Sequence, residues 1–127
     1  MANPNIAAVT VINGNTSTLL ISSTADPFAT ALASNAASSG KVYKINSIVA
    51  ANIDTTTAYN ITIKIFSAAA LGGTGTQIAA TISVPPNASL IVVDKTSSFY
   101  LLEDKSIGAT ASTANKFVVT SSWEEIT

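Results

Sequence analysis

Tyr59-Asn60-Ile61-Thr62-Ile63-Lys64-Ile65 is the stretch on which the fold turns. Tyr59, Ile61, Ile63 and Ile65 share one parity and Asn60, Thr62 and Lys64 the other, the period-two pattern of a strand with one buried and one solvated face. The pattern returns in Phe117-Val118-Val119-Thr120-Ser121-Ser122-Trp123 through Phe117, Val119 and Trp123, and in Ile78-Ala79-Ala80-Thr81-Ile82-Ser83-Val84 through Ile78, Ile82 and Val84. Segments 7–12, 18–22, 42–52, 90–93, 99–102 and 107–111 are rich in β-branched or aromatic residues, or are bounded by turn chemistry. About eight or nine short strands at even spacing predict an all-β chain, a single-domain antiparallel β-sandwich of jelly-roll-like kind spanning residues 1–127.

Turn signals divide the strands. Asn13-Gly14-Asn15 predicts a tight hairpin, because Asn-Gly supplies the positive φ such turns require. Asp54-Thr55-Thr56-Thr57 and Leu71-Gly72-Gly73-Thr74-Gly75-Thr76 read as loops, and Pro85-Pro86 ends a strand because prolines cannot donate to a ladder. Residues 24–40 admit two readings. Asp26-Pro27 suits a helix N-terminus leading through Phe28 and Leu32, whereas the Ser/Thr/Asn content suits an edge strand followed by a turn at Ser39-Gly40, the reading we adopt.

The composition narrows the function. The chain has no histidine and no cysteine, and all six of its basic residues are lysines. It therefore lacks the group that titrates near neutrality, the thiolate and the planar cation on which most catalysis leans, which argues against an enzyme. Six lysines and seven acidic residues are scattered without runs, so neither a phosphate-tracking stripe nor a base-reading arginine is present and nucleic acid is disfavoured as a partner. No apolar run approaches the ~20 residues of a membrane span, the start lacks the pattern of a secretory signal, and the absence of cysteine is compatible with assembly in a reducing cytoplasm. Only 10% of residues are charged, against roughly 25% in ordinary soluble domains. Such a surface predicts coverage by a partner or by sister copies.

Candidate chemistry is sparse. The glycine cluster 71–76 lacks the Gly-Lys-Ser/Thr ending of a phosphate loop, and no other cofactor motif is present. Glu103-Asp104 and Glu124-Glu125 are neighbours that point to opposite faces of a strand, and we read them as solvated strand ends. Asp94, Glu103 and Asp104 flank neighbouring strands and could meet around Ca²⁺, a reading disfavoured because no DxDxDG-like spacing supports it. Asn15, Asn60 and Asn87 begin glycosylation sequons expected by chance in so Ser/Thr-rich a chain. Tyr59, Phe117 and Trp123 belong to core faces. Phe99 and Tyr100 are strand neighbours, so one of them should face outward as an interface anchor. Residues 1–5 read as an extended arm in which Asn3, Pro4 and Asn5 can contact an adjacent subunit.

The order of segments resembles a group of small virion proteins of tailed bacteriophages, many from cyanobacterial and marine phages. The landmarks are Ser39-Gly40-Lys41-Val42-Tyr43-Lys44-Ile45-Asn46-Ser47-Ile48, the strand Ile61-Thr62-Ile63, the run 78–90 through Pro85-Pro86-Asn87-Ala88, Tyr100-Leu101-Leu102-Glu103-Asp104-Lys105-Ser106-Ile107, and Ala109-Thr110-Ala111-Ser112 before a strand ending Trp123-Glu124-Glu125-Ile126. Where relatives carry a leucine-glutamate-glycine-aspartate turn, this chain has Leu102-Glu103-Asp104, one residue shorter, which leaves the turn type open. The resemblance implies a capsid decoration or cement protein on the exterior of the head, assembled in the host cytoplasm. Its expected partners are the major capsid protein and copies of itself, with a trimer as the expected oligomer. A neck, tail or fibre-attachment module is the alternative, and a carbohydrate-binding module is disfavoured by the scarcity of aromatics.

Overall fold

A computed structural model describes residues 6–22, 24 and 31–127. After a short 3-10 turn, Ile6–Ala8, the strands are β1 (Ile12–Leu20), β2 (Ala31–Asn35), β3 (Val42–Asn52), β4 (Tyr59–Ala68), β5 (Gly72–Val84), β6 (Ser89–Val93), β7 (Phe99–Leu101), β8 (Lys105–Ala111) and β9 (Phe117–Ile126). They form two antiparallel sheets, ordered β1-β9-β3-β6 with β7 also on β3, and β2-β8-β4-β5. The first strand pairs with the last, the second with the eighth, the third with the sixth and the fourth with the fifth. That nesting is a long hairpin rolled across two sheets, the jelly-roll winding within a β-sandwich.

The alternation in 59–65 predicts the inner face correctly. Ile61 and Ile63 are fully buried beside Ile45, Ile48, Ile107, Phe117 and Val119, while Tyr59, Ile65 and Trp123 pack against the rim of that core. Two buried asparagines fasten loops to it. Asn35 donates to the carbonyls of Lys41 (2.9 Å) and Leu101 (3.2 Å) and accepts from the Ser39 hydroxyl at 2.6 Å. Asn52, at the far end of β3, donates to the carbonyls of Thr57 (3.0 Å) and Val84 (2.9 Å) and accepts from the Asp54 amide at 3.0 Å. Each thereby supplies partners to backbone groups that water cannot reach.

Several local expectations are corrected. Segment 7–12 is no strand: the 3-10 turn covers its start, and β1 begins only at Ile12. Asn13-Gly14-Asn15 makes no hairpin and lies inside β1, where Gly14 pairs with Glu124. The glycine cluster 71–76 is mostly strand. The turn precedes it, with Ala70 and Leu71 at φ of 54° and 61°, and β5 starts at Gly72. Ile78 and Ile82 are part-exposed although Val84 is buried, because β5 is a sheet edge whose register against β4 slips between Ile61 and Ile63 and again between Ile63 and Lys64. Glu103 is buried in the β7–β8 turn rather than solvated, and Asp104, at φ 56°, is the left-handed residue that closes that shortened turn. In the stretch 24–40, Ala31–Asn35 is the edge strand expected, with a turn through Ser38 and Gly40 at φ 57° and 68°. The helical alternative fails at Leu32, which lies in β2, while its residues 26–30 and the arm 1–5 lie outside the described residues.

Candidate docking surface

The outward side of the five-stranded sheet is the candidate surface. Cross-strand register lines up Ile12, Ile126 and Val42, then Gly14, Glu124, Lys44 and Tyr100, then Thr16, Ser122 and Ser47, then Thr18, Thr120, Val49 and Ile91, then Leu20, Val118, Ala51 and Ser89. Residues directly opposite share a face, so these rows are neighbours on one side of the sheet, open to solvent except at Val42 and Ile126, which are buried. Within these rows the charges are Lys44 and Glu124, adjacent and opposite in sign. The remainder is hydroxyl-bearing, small or apolar, with Ile91 65% and Leu20 52% exposed. A groove of about 760 Å³ lies on this side, lined by Val49 and Ile91 together with the charged residues Lys44, Asp94, Lys95 and Glu124.

The structure separates the paired aromatics. Tyr100 is 45% exposed and lies opposite Lys44 on the outer surface, whereas Phe99, opposite Ile45, packs against the core. Asn3, Pro4 and Asn5 lie outside the described residues. The sequence pattern did not single out Ile91 or Leu20. Their signal is parity: each sits one residue out of step with core neighbours, Leu90 and Leu19.

The carboxylates act as ties. Glu125 accepts from Lys41 at 3.1 Å, from the Trp123 indole N–H at 3.4 Å and from Asn15, joining β1 and the β2–β3 loop to β9 beside the stacked rings of Tyr43 and Trp123. Glu124 accepts from Asn46 at 3.3 Å on the opposite face, as adjacent strand residues must. Asp94 caps its own turn through Thr96 and Ser97, and Asp104 accepts from the Ala69 amide, so these two serve different turns. Among the described residues no group of three or more His, Cys, Asp or Glu side chains is placed to hold a metal ion, and no helix is long and apolar enough to cross a membrane.

Asp54 is the most perturbed of them. Lys116 at 2.8 Å holds its carboxyl well below the usual carboxylate range, and the Thr56 and Thr57 amides add to the effect. Lys116 also sits 5.7 Å from the Tyr59 ring centroid, which joins the two loops that flank β3's end. A depressed folded-state value means stability that is complete above the unfolded value of 3.8 and is lost progressively as pH falls below it. Asp54→Asn should therefore flatten the decline of the urea midpoint below pH 3.8 relative to the unaltered chain; parallel curves would show that other carboxylates govern acid unfolding.

The described residues thus define a nine-stranded antiparallel β-sandwich of jelly-roll winding, a fold class that by itself assigns no role. No protein-family model matches the chain, and a search of curated proteins finds no match.

Proposed function

We propose that this protein is a structural component of a tailed-bacteriophage particle, a capsid decoration protein that lies on the major capsid protein lattice and ties neighbouring subunits together. The observation that carries the reading is the outer surface of the five-stranded sheet, where Tyr100, Ile91 and Leu20 stand exposed among small hydroxyl-bearing residues and a few charges of balanced sign, Lys44 with Glu124 and Lys95 with Asp94. Such a surface is short of the charged side chains that keep an unpartnered face in water, and its exposed aromatic is the residue type that anchors interfaces. The segment order described above supports the virion setting. Jelly rolls occur in viral capsid proteins and also in lectins, so the winding by itself is neutral between them. A module that touches several subunits at once gains effective concentration on each contact after the first, which lets small contacts hold a lattice together.

Protein stoichiometry in purified virions tests the proposal. A ratio near one copy per major capsid subunit is expected, and a ring's worth of copies would instead assign the protein to the neck or tail. Tyr100→Ala should leave the fold intact and lower occupancy on the particle about tenfold, the effect of losing one anchor residue. Full occupancy in that variant would remove this surface from the contact.

A further inference from the structure

Strand β1 is the one sheet edge, among the described residues, that carries none of the usual devices against pairing with another chain. Edges are normally blunted by bulges, brevity, charge or proline. β2 is five residues long and bulged between Ala31 and Ala33. β5 breaks register against β4 at three places and holds Thr81 at φ 49°. The opposite edge of the five-stranded sheet is split into β6 and β7, of five and three residues, by the Asp94 turn. β1 runs nine residues against β9 in unbroken register, and its sequence, INGNTSTLL, has neither a charge nor a proline.

The ladder shows which backbone groups are free. Val11 and Thr127 exchange both hydrogen bonds, at 2.9 and 3.3 Å, and the Ile21 amide donates to Phe117 at 2.9 Å. Hydrogen-bonded and non-hydrogen-bonded pairs alternate in an antiparallel ladder, so the odd-numbered residues of β1 bond β9. Ile12, Gly14, Thr16, Thr18 and Leu20 consequently turn their amides and carbonyls to the open edge.

We propose that this edge pairs with β1 of a second copy, antiparallel about a two-fold axis through Thr16. That register places Thr16 opposite Thr16, Gly14 opposite Thr18 and Ile12 opposite Leu20, and it pairs every residue whose backbone groups point outward. It is self-complementary in side chains as well. Ile12 and Leu20, 57% and 52% exposed at opposite ends of the strand, cover each other across the join. The nearest charges on this face, the two Glu124 residues, stay at least three strand spacings apart, roughly 14 Å. The two five-stranded sheets then become one continuous sheet with a doubled outer surface. An isologous contact of this kind closes on itself and makes a dimer, not a filament.

The pairing concerns the free protein and does not depend on a virion role, so virion copy number and solution mass decide the two proposals separately. Sedimentation velocity of the full chain should show a concentration-dependent dimer. Thr16→Pro removes an amide that points to the edge while sparing the β9 ladder, and it should weaken dimerisation about tenfold or more with the β-sheet circular dichroism retained. Thr16→Cys, the sole cysteine in the chain, should form a disulfide-linked dimer under mild oxidation, because paired residues in such a ladder lie about 5.5 Å apart, within disulfide reach. Ile12→Cys should not, its symmetry mate lying roughly 27 Å along the ladder. A chain that stays monomeric at all concentrations overturns the proposal. So does a dimer in which Thr16→Cys cross-links no better than Ile12→Cys, or cross-linking of Thr16→Cys to a different protein in preference to itself.

Discussion

Phe117→Ala should destabilise the sandwich by about 3–5 kcal/mol, the usual cost of truncating a fully buried phenylalanine. Phe117 opens β9, is entirely enclosed, pairs with Asn52 on β3, and its carbonyl receives the Ile21 amide that follows β1. The vacated volume would lie where β9 bridges the two neighbouring strands of its sheet, and strands pinned on both sides relax poorly into a cavity. Since small domains have only about 5–15 kcal/mol in total, this one change removes a large share of the stability. Urea unfolding would show a lower midpoint with an unchanged slope. Ile91→Ala, at a site 65% exposed, should stay within about 0.5 kcal/mol. Equal effects at the two positions would contradict the assignment of inner and outer faces.

Asn52→Ala should cost about 2–4 kcal/mol, more than its volume alone suggests. The substitution leaves the Thr57 and Val84 carbonyls and the Asp54 amide without the side chain that now bonds all three. Asn35→Ala should act similarly at the other end of β3, exposing the loss of ties to Lys41, Leu101 and Ser39. The two sites share no partner, so the double variant should lose the sum of the single effects within about 0.5 kcal/mol. Strong non-additivity would mean that the loops at the two ends are coupled through β3.

What the sequence made legible follows from how local each signal is. The alternation from Tyr59 to Ile65 survives because β4 is central, flanked by β8 and β5, and a central strand must keep its parity. Phe117 and Val119 were readable for the same reason on β9. Asn13-Gly14 misled because hairpin chemistry is only a local preference, and pairing with Glu125 and Glu124, more than a hundred residues away in sequence, holds those residues extended. Gly75 misled in another way. A Cβ there would lie 2.8 Å from the Lys64 side chain and 2.9 Å from the Phe66 ring, so the glycine serves close approach across two strands and not a loop. On the docking surface the sequence showed that one of Phe99 and Tyr100 must face outward, whereas which one does, along with Ile91 and the open backbone of β1, becomes visible only once the register is known.

The rolled winding also dictates the order of events during synthesis. Ile12 finds Ile126 across nearly the whole length of the chain, and β9 cannot settle between β1 and β3 until its own residues have been made. Contacts so distant in sequence carry the full entropy of closing the intervening chain, which makes such topologies slow to form. β1, made long before its partner, is therefore secured only once β9 has been synthesised, and completion of the five-stranded sheet waits for that strand.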